Sequence, residues 1–333
     1  MEKPRANSSP ISQGRIAISI IAPCFNEQDC LAEFVRRMTK AAAAAAGESY
    51  ELILVNDGSS DNTWPAIRAI AQANPRLLGV NLSRNHGHQL AVSAGLSLAR
   101  GEAVLVIDAD LQDPPELLSK FLDRLNEGFD VVYGRRQTRA KESAFKLVTA
   151  NYFYKFLRLL SDVDIPADTG DFRLMSRRIV DRLNAMPEHD RFLRGMVAWL
   201  GGKQTELLYD REPRFAGTTG YPLSKMVRLA TNGVVGFSTK PLRLSILMAA
   251  IGMLIGVGVT LYALTGYALG NVAPGWTSQA LITIFFGVAQ LGCLAIMGAY
   301  LGRTYMQGKA RPIYMIDEIT SSQTRLESDM EQS

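Results

Sequence analysis

With 333 residues and a formal net charge of +4, the chain can hold one large α/β domain plus an appendage. It carries no long Lys/Arg run, so a nucleic-acid partner is excluded as the organising function. The 47% hydrophobic content is ordinary in amount but uneven in distribution: no charge lies between Arg243 and Arg303, a gap of about 59 residues that a water-facing surface does not sustain. Three cysteines cannot build a disulfide framework, and the polar stretch 1–14 has no apolar secretion core, so a reducing, cytoplasmic catalytic portion is expected.

The apolar run Ile16–Ala22 reads as a buried parallel strand closed by Pro23, followed by a helix over 28–46 that ends before Gly47. Glu51–Val55 is a second strand running into Asn56-Asp57-Gly58, and Asp61 or Asn62 caps a helix reaching about residue 74. A strand near 77–82, a helix near 88–100 and the strand Ala103–Ile107 continue the alternation, which predicts an α/β fold with a mostly parallel sheet. Beyond Pro114-Pro115 come a helix, the strand Asp130–Tyr133, a partly basic helix at 141–162 and a short strand opening at Thr169. A helix at 191–201 and a strand at 204–210 complete this portion.

Residues 222–240 mix Lys225, Arg228 and Lys240 with Met226, Leu229 and Phe237, the composition of an interfacial amphipathic helix. Two apolar segments, about 244–269 and about 278–301, are each long enough to cross hydrocarbon. Lys240 and Arg243 precede the first, while Arg303, Lys309 and Arg311 follow the second. The positive-inside rule therefore makes them a transmembrane hairpin with both flanks cytoplasmic. The expected division is a disordered start (1–14), a catalytic domain (15–220), an interfacial helix (221–242), the two spans (243–302) and a polar, partly disordered tail (303–333).

Ligands of open parallel sheets bind at the carboxyl ends of the strands. Those ends carry Pro23-Cys24-Phe25-Asn26-Glu27, Asn56-Asp57-Gly58 and Asp108-Ala109-Asp110, so three acid-bearing loops converge on one edge. Neither a dinucleotide fingerprint nor a P-loop is present. Two carboxylates separated by one residue at a strand end can face one hard cation, Mg²⁺ or Mn²⁺, and Gln112 can add a neutral oxygen. His86 and His88 lack a third ligand for zinc and read as polar residues at a helix start.

Several runs together resemble a known family: Ile21–Glu27 (IAPCFNE), Val55–Asp61 (VNDGSSD), Asn81–Asn85 (NLSRN), Asp108–Glu116 (DADLQDPPE), Thr169–Leu174 (TGDFRL) and Asp210–Arg214 (DREPR). They are similar to family 2 glycosyltransferases of the GT-A fold, specifically the polyprenyl-phosphate glycosyltransferases such as bactoprenol glucosyltransferase and dolichol-phosphate mannose synthase. The resemblance spans roughly residues 15 to 316. It implies that Pro23, Phe25, Glu27 and Asp57 cradle the nucleoside of a nucleotide sugar. Asp108 and Ala109 would approach ribose and diphosphate, Asp110 and Gln112 (with Asp108) would hold the metal, and Asp171 would face the sugar, with Asp110 and Asp171 as the catalytic pair. It further implies inversion at the anomeric carbon, UDP-glucose as the favoured donor, undecaprenyl or another polyprenyl phosphate as acceptor at the inner membrane, and an oligomer of the hairpin type.

A lipid phosphate is already anionic at neutral pH and needs cations rather than a general base. Arg135, Arg136, Arg139 and Lys141, with Arg211 and Arg214, are the candidates for that role. A processive polysaccharide synthase is the rival reading within the superfamily, but Arg194–Trp199 does not form the Q-x-x-R-W run that such enzymes carry. A non-catalytic, membrane-tethered scaffold binding nucleotide sugar is the rival from another class, opposed by the intact Asp57, Asp108, Asp110 and Asp171.

Overall fold

The computed structural model describes residues 16–137, 169–211, 240–269 and 275–322. The expected helix at 141–162, most of the interfacial helix at 221–242, and Arg139, Lys141 and Arg214 lie outside the described residues. Two compact units emerge. The first comprises residues 1–143, 166–220 and 312–333, and the second 144–165 and 221–311.

In the first unit, among the described residues, eight strands form one sheet in the order β7-β5-β6-β4-β1-β2-β3-β8. The strands are β1 (Ile18–Cys24), β2 (Tyr50–Asn56), β3 (Leu77–Leu82), β4 (Ala103–Val106), β5 (Val131–Arg136), β6 (Thr169–Ser176), β7 (Gln204–Tyr209) and β8 (Ile316–Thr320). Strands β1, β2, β3 and β4 pair in parallel, as do β5 and β7, while β6 runs antiparallel to both β4 and β5. The mostly parallel α/β sheet expected from strand–helix alternation is the observed one.

Every residue of β1 and β2 is buried, because helices cover both faces and leave no polar side for water. Helix α1 (Gln28–Ala46) presents Phe34, Met38 and Ala42 at four-residue spacing as one buried stripe. Helices α2 (Thr63–Ala73) and α3 (His88–Leu98) follow β2 and β3. A 3₁₀ turn over Pro115–Leu117 leads into α4 (Leu118–Asn126), and α5 (Arg177–Ala185) and α6 (Leu193–Leu200) follow β6. Beneath β5 to β7, Phe121 packs tilted on Phe172 and Tyr209 meets Phe172 edge-on, with centroid separations of 4.6 and 5.6 Å. Fully burying one such phenylalanine contributes about 2–3 kcal/mol.

The polar tail departs from expectation. Within the stretch 303–333, expected to be a partly disordered tail, Ile316–Thr320 is strand β8, laid antiparallel on the outer edge of β3. Its apolar residues are few, but they cover an otherwise open edge of β3, which supplies the missing hydrogen-bond partners.

The second unit holds α7 (Lys240–Ala268) and α8 (Trp276–Gly308). Their apolar stretches Ser245–Gly266 and Phe285–Gly308 are long enough to cross a membrane and are 6% and 0% buried. A water-soluble helix buries its apolar face, whereas Leu254, Tyr262 and Leu291 stand exposed here. The two helices meet where the Phe286 ring lies against Gly252 and Gly256 and where the Cys293 thiol donates to the Ser245 carbonyl at 3.5 Å.

Candidate active site

The antiparallel register of β6 assembles the centre. Val106 of β4 pairs with Arg173 of β6, so continuing this antiparallel register two residues past Val106 and two back from Arg173 brings Asp108 and Asp171 opposite one another. His88, at the start of α3, stands over both: its Nε2 is 3.0 Å from Asp171 Oδ2 and 3.7 Å from Asp108 Oδ1. Arg194 of α6 donates to Asp171 from Nε (2.8 Å) and from a terminal nitrogen (3.1 Å). Gln89 completes the set. Its amide nitrogen donates to Asp171 Oδ2 at 3.2 Å, while its amide oxygen accepts the Leu193 N–H at 3.0 Å, tying α3 to α6.

The electrostatics follow from this crowding. Burial pushes the Asp171 carboxyl upward, but Arg194 and His88 overcome that and hold it well below the usual carboxylate range. Burial alone would lower the His88 imidazole; Asp171 and Asp108 reverse this and raise it to about 9. Asp108 is pushed up to about 6, first by desolvation and then by Asp171, Asp113 and Asp110, with His88 opposing. Burial lowers Arg173 to about 10, although Asp171 lies 3.8 Å away. Asp171 is thus a fixed anion, already occupied by a guanidinium, an imidazole and an amide.

The loop after β4 carries backbone strain. Leu111, buried between Asp110 and Gln112, has φ of +59°, a left-handed conformation rare for a leucine. It turns the chain so that Asp110 Oδ1 accepts the Gln112 N–H at 3.1 Å. Next to this loop, Asp113 is almost completely buried, accepts the Tyr209 hydroxyl at 2.5 Å and lies 3.4 Å from Arg211 Nε. Arg211 also stands 3.9 Å from Asp110 Oδ2. The parallel register pairs Arg136 with Tyr209, so Arg136, Tyr209 and Arg211 share one edge. Arg135 instead pairs with Glu206 at 2.8 Å on an exposed surface.

The loops after β1 and β2 are bonded to each other. Asn26, with φ of +56°, donates its N–H to Ser59 Oγ (3.0 Å), and its side-chain oxygen accepts the Ser60 N–H (2.9 Å). The Glu27 N–H donates to Thr63 Oγ1 at 2.9 Å. Pro23 and Ala109 are buried, and Phe25 is 47% exposed at the same edge. Asp57 faces inward: its two oxygens accept the backbone N–H groups of His86 (2.7 Å) and Gly87 (3.0 Å). Burial raises its carboxyl above the ordinary value despite these bonds.

Comparison with known proteins decides the family. The glycosyl transferase family 2 model matches residues 19–183. The chain is 41% identical over 307 residues to the uncharacterized glycosyltransferase YkcC of Bacillus subtilis, covering 91% of this chain and 94% of that one. It is 34% identical to a prophage bactoprenol glucosyl transferase homolog of Escherichia coli (91% and 99% covered) and 35% identical to the bactoprenol glucosyl transferase of Shigella phage SfV (90% and 97%). The chain belongs to glycosyl transferase family 2.

Sequence reasoning about this glycosyltransferase missed four residues of the centre. Arg173 lies two residues beyond Asp171 on one strand, so the period-2 rule places both on one face and was signal enough. His88 reads locally as a polar helix start, but the fold turns it into the acid cluster. Gln89 and Arg194 carry no local signal, because only the packing of α3 and α6 brings them to Asp171.

The donor set suits a hard cation. Asp108, Asp110 and Gln112 offer oxygens only, and the neighbouring Asp113 Oδ2 is buried without a partner among the described residues. No group of three or more acidic, His or Cys ligands is preformed among the described residues. Oxygen donors of this kind are those an ion of the Mg²⁺ type takes, its remaining ligands coming from substrate and water.

Proposed function

We propose that this glycosyltransferase transfers a hexose, with UDP-glucose the favoured donor, to a polyprenyl phosphate at the cytoplasmic face of the inner membrane. The observation that carries the reading is the meeting of the Asp108–Gln112 loop with Asp171 and with the arginine edge formed by Arg136 and Arg211. Relatives bearing the name bactoprenol glucosyl transferase over nearly their whole length support the acceptor. The two long apolar helices support the membrane. Lys240 and Arg243 at the start of α7, with Arg303, Lys309 and Arg311 at and beyond the end of α8, favour both outer ends of the hairpin on the cytoplasmic side.

In this mechanism Pro23, Phe25, Glu27 and Asp57 shape the nucleoside pocket, and Ala109, having only a methyl group, admits the ribose and diphosphate. Asp108, Asp110 and Gln112 would hold Mg²⁺ or Mn²⁺, which when bound neutralises charge on the departing nucleoside diphosphate. Arg136 and Arg211 hold the acceptor phosphate. One phosphate oxygen attacks the anomeric carbon in line as its bond to the nucleoside diphosphate breaks, inverting the configuration. Asp171, fixed as an anion, stabilises positive charge at the sugar ring. No side chain removes a proton from the acceptor, which fits an Asp171 already committed to Arg194.

The test is transfer of radiolabelled sugar from a panel of UDP- and GDP-sugars into organic-extractable undecaprenyl phosphate, with purified protein and Mg²⁺ or Mn²⁺. Label entering the lipid from one donor, and lost with EDTA and in Asp110→Ala, is the expected result. Absence of lipid label from every donor, with metal-dependent nucleotide binding retained, overturns the acceptor.

A further inference from the structure

Strand β8 and the residues just before it form a strap across the first unit, beginning at Tyr314. It reaches the donor loops by two routes. In the first, the Met315 carbonyl accepts the Ser83 N–H at 3.0 Å, and the Tyr314 hydroxyl bonds Ser97 Oγ of α3 at 2.9 Å. The strap thereby pins the 83–87 loop at its start. The same loop supplies the His86 and Gly87 N–H groups that hold Asp57. It also packs so tightly on Gly58 (φ +64°) that a Cβ there would run into the Arg84–Asn85 backbone.

The second route is a line of side chains along the strand ends. The Asn81 amide donates to Asp317 Oδ2 at 3.4 Å and accepts from the Asn56 amide at 2.7 Å. Asn56 Oδ1 accepts the Ser59 N–H at 3.3 Å, and Ser59 Oγ accepts the Asn26 N–H at 3.0 Å. The line therefore runs from β8 through β3 and β2 to the loop after β1. The pairing register itself shifts between Asn81 and Leu82, where the strap meets the line.

From these two routes we infer that the strap, Tyr314–Thr320, is a positioning element for the nucleotide-sugar donor. Asp317 and Asn81 are its positioning residues, acting on the loops at 26–27 and 56–60. A strand that served only to cover the edge of β3 needs its backbone ladder, not this side-chain line. The inference rests on the nucleotide-sugar reading of those loops.

The experiment uses the full-length protein carrying Asp317→Ala, Asn81→Ala or both, beside Glu318→Gln. Glu318 is on the same strand but points to Arg68 at the surface. Amide exchange of peptides covering 56–60 and 84–87 is measured together with the donor and acceptor KM. Expected are faster exchange in those peptides and a donor KM raised about fivefold by either alanine, the equivalent of one hydrogen bond. The double variant is expected to be little worse than either single one, with kcat and acceptor KM within about twofold of wild type and Glu318→Gln unchanged. Unaltered exchange at 56–60 and 84–87 overturns the inference whatever the donor. Faster exchange with an unchanged donor KM, or equal losses in donor and acceptor KM, reduces the strap to an edge cover and overturns it too. Failure of the transfer reading shows instead in the wild-type protein, as absence of labelled lipid.

Discussion

Arg194 grips Asp171 through two parallel hydrogen bonds, 2.8 Å from Nε and 3.1 Å from a terminal nitrogen, across 23 residues of sequence. The fork fixes both oxygens of a carboxylate that burial would otherwise neutralise. Arg194→Ala leaves that carboxylate buried with Arg173 3.8 Å away as the nearer remaining guanidinium. Because Arg194 is 32% exposed, the expected loss is about 2 kcal/mol of stability rather than the larger cost of a fully buried pair. Sugar transfer falls by about two orders of magnitude. Urea unfolding and initial rates measure the two; full transfer activity in Arg194→Ala would remove Asp171 from the site.

The arginine edge predicts a division of labour. Arg136→Ala and Arg211→Ala raise the acceptor KM about tenfold each, as expected for loss of a charge-assisted hydrogen bond to phosphate. Arg135→Ala, whose partner is the exposed Glu206, changes it by less than about twofold. Acceptor titration at saturating donor separates them, and equal effects at all three positions would count against the assignment.

Tyr209 donates to Asp113 at 2.5 Å in the buried layer beneath the Asp108–Gln112 loop. Tyr209→Phe keeps the edge-on contact with Phe172 and removes only the hydroxyl, leaving Asp113 without that donor. A loss of about 2 kcal/mol in chemical denaturation is expected. A change below about 0.5 kcal/mol would mean that Arg211 or water takes over the bond.

Asp130 gives the acid limb of stability. Burial pushes its carboxyl up, but Arg178 and the Lys203 N–H more than reverse this and hold it below the ordinary value. A depressed native pKa favours the fold when the group is ionised. Its contribution is therefore present above about pH 4 and is lost as pH falls through the lower native value. Asp130→Asn is expected to be less stable than wild type at pH 6 and to show a shallower loss between pH 5 and 3, read from urea midpoints at each pH.

Much of the fold was legible because its signals are local. Helix α1 and strand β3 have the boundaries read from periodicity, and the acidic ends of β1, β2 and β4 lie on the edge expected for a parallel sheet. Strand β8 was not legible. Ile316-Asp317-Glu318-Ile319-Thr320 is short and two of its five residues are charged, and it becomes a strand only because the edge of β3 offers it a ladder.

The same distinction divides the candidate site. By itself the sequence determined the α/β class, the acid-bearing loops, the family likeness and the uncharged block from 244 to 302, since each follows from residue types at short spacing. Only the tertiary structure decided which acids and bases meet. Insertion of β6 antiparallel between β4 and β5 sets the register that brings Asp171 to Asp108. The packing of α3 and α6 then delivers His88, Gln89 and Arg194 to them. Such contacts depend on strand direction and register, which hydrophobic periodicity does not encode.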